Sequence, residues 1–437
     1  MIKLPKKFDY IIMHPELEIA LDALINTDDN LCIIGEAGCG KTEFIKICSD
    51  KQVYNKNVIV ATPTGISAVN ASSDGVRATT IHSLFQLKPL SIIPPEQLVT
   101  HAKLAPIFRN LDCLVIDEIS MVNSDLLSKI VYLLKSNRNE TLPRIIVIGD
   151  PSQLAPIIET PEEQDYINDM YRSRYFFHAS IFKSMKILQF SKVFRQKDKE
   201  FSTVLGRFRY KKETDADRKY LNSRVMSVEE FRKGGDFVHI ALTNRTVNDI
   251  NSREMSMNPN RSKVYYGRDN NFKDAPPVEE RLVLKVGAQI MLCINNKTQG
   301  YYNGMLGRVT KLNPETVEVS TDRGTFLIEP FTWEKYTYKY DKETKKIRAV
   351  VTGSFRQLPI RIAYALTSHK CQGLTLDRMY LDLERGTFAS GMCYTACSRS
   401  RTIEGFGLKR AIKASDNKLS MVIRKFYARH GIGGKEC

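Results

Sequence analysis

The sequence predicts an α/β protein built on parallel sheets, and three observations carry that expectation. Short apolar runs, Leu31-Cys32-Ile33-Ile34, Val58-Ile59-Val60-Ala61, Cys113-Leu114-Val115-Ile116 and Ile145-Ile146-Val147-Ile148, recur along the first half, as strands buried on both faces do. Each run ends in small or polar residues. The first such ending, Gly35-Glu36-Ala37-Gly38-Cys39-Gly40-Lys41-Thr42, fits G-x-x-x-x-G-K-[ST] with a strand before it and a helix after it.

At 437 residues the chain has room for about two to four domains, each with its own core. A hydrophobic content of 42% suits a globular protein, and no apolar run reaches membrane-spanning length. The N-terminus lacks a secretory signal, and nine irregularly spaced cysteines are no disulfide framework. A reducing cytoplasm is the expected home. Lysine and arginine number 65 against 49 acids, a formal charge of +16. That excess favours a polyanionic partner, because neutralising phosphates releases counterions.

Taken in order, residues 15–27 carry Leu17, Ala20, Leu21, Leu24 and Ile25 at helical spacing. The glycine-rich loop comes next. Its N–H groups can curl around a phosphate chain, and the helix N-terminus adds partial positive charge. Lys41 would reach the β and γ phosphates and Thr42 would bind Mg²⁺, so the loop, with Gly35, Gly38, Cys39 and Gly40, implies a nucleoside triphosphate. The strand at 57–61 ends in Thr62-Pro63-Thr64-Gly65, and a helix is expected from Ile66 to Ala71. Pro89, Pro94 and Pro95 interrupt the next stretch, and residues 75–107 read as a small insertion on the sheet's surface. Asp117 and Glu118 end the strand at 113–116: Asp117 would hold the Mg²⁺ shell, and Glu118 would orient and deprotonate the attacking water. Gln153, in the turn after the 144–148 strand, is placed to sense the γ phosphate. Together these make the first ~190 residues one nucleotide-binding, RecA-like domain.

The second half adds Val193-Phe194-Arg195-Gln196, Thr367-Ser368-His369-Lys370-Cys371-Gln372-Gly373 and Tyr394-Thr395-Ala396-Cys397-Ser398-Arg399-Ser400-Arg401. With Gly35–Thr42, Thr62–Ala68, Thr80–Phe85, Asp117–Met121, Gly149–Ile157 and Leu242–Asn251, in this order, the chain resembles superfamily-one helicases. More narrowly it resembles the RecD-like branch and its Pif (petite integration frequency) DNA helicases. The resemblance implies two RecA-like P-loop domains with ATP between them, each with an insertion, the second a small SH3-like β-barrel. The expected division is 1–74 and 108–188, insertion 75–107, then 189–251 and 356–437, insertion 252–355. Alternating segments such as Val286–Leu292 and Thr316–Ser320 independently suit a small antiparallel module there.

By the same resemblance, Arg195 and Arg399 offer charge to the γ phosphate, a role bidentate guanidinium suits, and Gln372-Gly373 couples DNA to ATP. Thr64, His82, Phe85, Asn244, Thr367, Ser368, His369 and Lys370 would line a single-stranded DNA track. The implied activity is ATP-dependent 5′-to-3′ unwinding of duplex junctions, and of structures such as G-quadruplexes, in genome maintenance, by a core expected to be monomeric. The alternatives are a RecD-like accessory ATPase, a signalling P-loop ATPase and a superfamily-one RNA helicase. The sequence departs from the family in two places. The adenine-reading glutamine has no counterpart before Gln52, where Glu16 and Glu18 stand instead, and Asn123–Lys135 only loosely matches the signature of eukaryotic members. Those members' long N-terminal extension is also missing, which points to a bacterial or phage version.

Overall fold

A computed structural model describes residues 4–72, 76–87, 92–99, 101–158, 160–194, 198–272, 276–296, 298–341 and 346–433. It divides into two compact units: Met1–Pro151, Ala155–Phe194 and Lys335–Thr352 in the first, and Ser152–Leu154, Arg195–Glu334 and Gly353–Cys437 in the second. Two short segments therefore fall on the other side of the expected division. Residues 335–352 group with the first unit, and 152–154 with the second.

In the first unit, α1 (Pro15–Asn26) starts on His14, whose Nδ1 accepts the Leu17 N–H at 3.4 Å, with Pro15 in the first turn. Then come β1 (Asn30–Gly35), α2 (Lys41–Cys48), β2 (Val58–Thr62), α3 (Gly65–Ala71), β3 (Ala78–Thr80), α4 (Ile81–Phe85) and α5 (Ala105–Arg109). The unit continues with β4 (Cys113–Ile116), α6 (Ser124–Ser136), β5 (Arg144–Gly149), α7 (Pro161–Tyr171) and β6 (Met185–Phe190). The strands form one sheet in the order β3-β2-β4-β5-β1-β6, every neighbouring pair parallel. Its central strands are apolar between their ends because both faces are covered. Leu31 and Ile33 of β1, for example, share a core with Leu17, Leu21 and Leu24 of α1 and Phe44 of α2. Residues 78–85, expected within a surface insertion, instead supply the edge strand β3 and the helix α4. Thr80 ends that strand and caps the helix through its own hydroxyl.

In the second unit, α8 (Lys199–Arg209), α9 (Asp215–Asn222), α10 (Val228–Arg232), β7 (Val238–Ala241) and α11 (Asn244–Met257) lead into a long antiparallel region. That region contains β8 (Ser262–Tyr266), β9 (Arg268–Asn270), β10 (Arg281–Lys285), β11 (Gln289–Leu292), β12 (Leu306–Leu312), β13 (Val317–Thr321) and β14 (Gly324–Ile328). In the chain it goes on through β15 (Phe331–Asp341) and β16 (Lys346–Gln357), whose residues 335–352 group with the first unit, and then β17 (Ile360–Ile362). Its largest sheet runs β14-β13-β12-β11-β17. The chain closes with β18 (Ala365–Thr367), β19 (Met379–Asp382), α12 (Met392–Cys397), β20 (Phe406–Leu408) and α13 (Met421–His430). A second parallel sheet, β18-β7-β19-β20, carries this unit. The expectation of two parallel-sheet α/β cores with an antiparallel insertion in the second half matches these elements.

A half-buried ion pair ties α8 to α9. Arg207 grips Asp217, which also closes a capping box with Thr214. The Arg207 guanidinium holds the Asp217 carboxyl down at about 2. A depressed carboxyl contributes stability that is present above its ordinary range and lost as pH falls through the folded value. Asp217→Asn is therefore expected to cost about 2 kcal/mol at pH 7, with the cost shrinking between roughly pH 4 and pH 2; urea denaturation across that range checks it.

Candidate active site

All parallel strands of the first sheet point their carboxyl ends to one edge, and the glycine loop, Lys41, Thr42, Asp117 and Glu118 stand there. Gly40 caps α2 at φ +91°, a left-handed conformation that only glycine adopts freely. Lys41 opens the helix and turns its ammonium onto the loop, donating to Gly35 O at 2.8 Å and to Glu36 O, with the Cys39 sulfur 3.6 Å away. Thr42 is next in the chain and exposed. At the end of β4 the Asp117 N–H donates to Ala61 O at 3.0 Å, prolonging the strand pairing. Glu118 then sits at φ +52°, a strained conformation for a residue with a side chain, and its N–H donates to Asp117 Oδ1 at 2.8 Å. Burial and then the negative charge of Glu118 push the Asp117 carboxyl up to about 7, against the pull of the Glu118 N–H and of Lys41. A carboxylate in that position favours a neighbouring cation. The glycine loop, Lys41 and this carboxylate pair therefore suit a triphosphate with its Mg²⁺, which Thr42 and Asp117 would hold; the metal would supply charge neutralisation.

The second unit gathers another set. Ser368 N–H donates to Ala241 O at 3.0 Å, so the turn after β18 stays docked to β7. Within that turn Thr367 Oγ1 accepts the Lys370 N–H at 3.2 Å, and Gln372 N–H donates to His369 O at 3.2 Å. Ser368 is fully buried, with no hydrogen-bond partner for its hydroxyl among the described residues. Lys370 and Gly373 are exposed. Burial holds His369 below the usual imidazole range. Gln372 Nε2 donates to Gln153 Oε1 at 3.4 Å, so the two glutamines meet inside this unit. Arg399, after α12, is 1% exposed. Its Nε donates to Thr395 O at 2.9 Å, and its terminal nitrogens donate to Leu374 O at 3.4 Å and Ser398 Oγ at 2.7 Å. All three acceptors are neutral. Asn244 is exposed at the start of α11, which Thr243 caps. Arg195 lies outside the described residues.

Two expected track residues of the first unit are held in place by local structure. Thr64 caps α3, accepting the Ser67 N–H at 3.1 Å. His82 is half-buried and held below its usual range by burial and by Lys129. Phe85 corrects the expectation: it is 2% exposed and stacks on Phe108 with ring centroids 5.0 Å apart. The short helix α4 turns it inward, where burying an aromatic ring is worth more than exposing it.

Sequence reasoning missed three arrangements. The Glu16 carboxylate, which stood near the absent adenine glutamine, accepts the Ser191 and Lys192 N–H groups at 2.8 and 3.3 Å. Phe194 N–H donates to Gly38 O at 2.8 Å, bringing the segment after β6 back to the glycine loop. Buried Asp125 receives Lys129 at 2.6 Å and the Tyr166 and Tyr171 hydroxyls at 3.2 and 3.1 Å. Apart from the i,i+4 pair Asp125–Lys129, each joins residues that local spacing does not associate.

The fold and this edge define a P-loop nucleotide hydrolase with a RecA-like core. A family model described as an AAA domain matches residues 19–159. The ATP-dependent DNA helicase Pif1 of Campylobacter jejuni is 27% identical, the match covering 92% of this chain and 95% of that protein. The structure of Bacteroides sp. Pif1 in complex with ADP-AlF4 superposes with a TM-score of 0.86 at 30% identity, covering 96% of this chain and 98% of that one. Pif1 helicase from Bacteroides in complex with ADP-AlF3 and ssDNA is 32% identical, with a TM-score of 0.68 and coverage of 96% and 98%. This chain belongs to the Pif1 family of ATP-dependent DNA helicases.

The geometry leads to two expected outcomes. Phe85→Ala should destabilise the first unit by about 3–5 kcal/mol, read as a lower thermal midpoint, while the folded protein binds single-stranded DNA as before. Glu118→Gln should keep ATP binding and lower hydrolysis by about two to four orders of magnitude, measured by nucleotide titration and phosphate release; hydrolysis at the parent rate removes the water-activating role.

Proposed function

We propose that this ATP-dependent DNA helicase moves 5′ to 3′ on single-stranded DNA and opens duplex junctions ahead of it. The observation that carries the reading is the single turn from Thr367 to Gln372. It carries Ser368, His369 and Lys370, the proposed backbone contacts, of which Lys370 is exposed, His369 half-buried and Ser368 buried, and it ends on the glutamine that bonds Gln153. One short segment would then feel both the nucleic acid and the nucleotide, which a motor requires and a static binder does not. Thr64, His82, Asn244 and Thr367 complete the proposed track.

In the chemical step Lys41 would bind the β and γ phosphates, Glu118 would orient and deprotonate water, and Gln153 would sense the γ phosphate. Arg195 and Arg399 would supply charge to the transferring group. Arg399 suits this role because, among the described residues, its buried guanidinium has only neutral acceptors, which leave its charge uncompensated. The domain division given by the sequence outside residues 78–85, 152–154 and 335–352, an SH3-like form for the 252–355 insertion, a monomeric working unit and a cytoplasmic setting belong to the same reading. Among the described residues no helix is long and apolar enough to cross a membrane.

Unwinding assays on DNA and RNA duplexes with a 5′ or a 3′ tail test the proposal. The expected result is ATP-dependent opening of the 5′-tailed DNA substrate alone. Preference for the 3′ tail reverses the direction, and preference for RNA makes the substrate wrong. Hydrolysis without unwinding returns the chain to an accessory role.

A further inference from the structure

Arg401, two residues beyond Arg399, is part of a cluster that the catalytic scheme leaves unused. Its Nη1 lies 2.8 Å from Asp377 Oδ1, and the Tyr302 hydroxyl donates to Asp377 Oδ2 at 2.9 Å. The Arg401 guanidinium also stands 5.4 Å from the Tyr302 ring centroid, and Arg323 stands 5.0 Å from it. Tyr302 and Arg323 come from the antiparallel region, Tyr302 from the β11–β12 connection and Arg323 from the turn joining β13 to β14. Asp377 and Arg401 come from the parallel-sheet core of the same unit.

The segment Leu374–Asp377 connects this cluster to Arg399. Leu376 N–H donates to Arg399 O at 2.9 Å, Arg401 N–H donates to Leu376 O at 3.2 Å, and the Arg399 side chain donates to Leu374 O at 3.4 Å. On its other side Gly304, at φ +95°, comes so close that a Cβ would stand 3.3 Å from Thr375 O. The segment thus has the antiparallel region against it and Arg399 hydrogen-bonded to it. Asp377 is half exposed, and an exposed ion pair adds little to stability. What the cluster does fix is geometry: burial and Asp377 keep the Tyr302 phenol protonated, hence a donor, and the planar guanidinium fits both carboxylate and ring.

We propose that Tyr302 is a positioning residue for Arg399: through Asp377 and Arg401 it ties the antiparallel region to the segment that holds the catalytic guanidinium. A shift of that region, such as a nucleic acid lying against it would cause, then moves Arg399 and changes the hydrolysis rate. The proposal rests on the role given to Arg399 above.

Tyr302→Phe removes one hydroxyl and keeps the ring that both arginines face. It should lower kcat for DNA-stimulated hydrolysis by about tenfold, a modest loss for a misplaced catalytic group. KM for ATP, affinity for single-stranded DNA without nucleotide, and the thermal midpoint should stay at parent values. Arg401→Lys, which keeps the charge and loses the fork, should fall between Tyr302→Phe and the parent. In an Arg399→Lys background, itself impaired, adding Tyr302→Phe should cause no further loss. A parent-like kcat for Tyr302→Phe, a loss that tracks a lower thermal midpoint, or an undiminished second loss in the Arg399→Lys background each overturns the proposal while leaving Arg399's role standing. An Arg399→Lys variant as fast as the parent overturns that role, and this proposal with it.

Discussion

The Asp117 carboxylate sits where the ends of β2, β4 and β5 converge, and burial makes its charge costly there. Lys41 opposes that cost from the start of α2, and a bound divalent cation would oppose it further. The strand order explains why these groups stand apart and yet cooperate. β5 lies between β1 and β4, so the glycine loop and Asp117 are two strand spacings apart, roughly 10 Å. A triphosphate with its metal fits a gap of that size; a direct Lys41–Asp117 ion pair would close it. The strained φ of Glu118 belongs to the same arrangement, since it turns the chain sharply after β4 and separates the second carboxylate from the first.

The second unit handles its own buried charge differently. Arg399 is as buried as the aromatic core around it, yet its hydrogen bonds go to two carbonyls and a hydroxyl. A carboxylate partner would lower the desolvation cost and also cancel the field that phosphoryl transfer uses. Three neutral acceptors hold the guanidinium in one orientation and leave its charge intact. Arg401 shows the opposite choice: it is more exposed, paired with Asp377 and stacked on Tyr302. Two arginines separated by one serine thus serve different ends, one keeping its field and the other fixing geometry.

How much of this could be read in the sequence depended on whether a residue's task leaves a local trace. The glycine loop and Asp117-Glu118 did so, because a two-sided parallel strand is a continuous apolar run and its polar ending is conspicuous; Gln372-Gly373, after the three-residue β18, was reached only through the resemblance. The first parallel core and the antiparallel second insertion emerged from such periodicities, whereas the second parallel core was expected only from the resemblance. Phe85 left no trace, since a ring meant for a base and a ring meant for Phe108 are spelled alike. β3 was hidden because a three-residue edge strand is too short to show a period. The partners of Glu16 left no local trace because Ser191 and Lys192 lie some 175 residues away. Ser152–Leu154 comes directly after β5, yet its Ser152 hydroxyl meets Tyr427 at 2.8 Å and Leu154 lies in the second unit's core.

The charge of +16 illustrates the difference between composition and placement. Several guanidiniums are spent inside the fold, donating to backbone carbonyls. Arg144 donates to Ala23 O, Leu24 O, Thr27 O and Asp29 O, closing the end of α1 and the turn beyond it. Arg138 gathers the carbonyls of Phe108, Arg109 and Leu111 after α5. Such residues satisfy orphaned helix-end carbonyls, and arginine suits the task because its fork reaches several acceptors at once. They contribute to the formal charge at full value and to a phosphate track not at all. Only exposed cations beside the polynucleotide release counterions on binding, so the number of phosphates neutralised must be counted from the cations that line the track, Lys370 among those proposed, not from the net charge. The basic balance correctly indicated the class of partner, and the fold decides how much of it that partner meets.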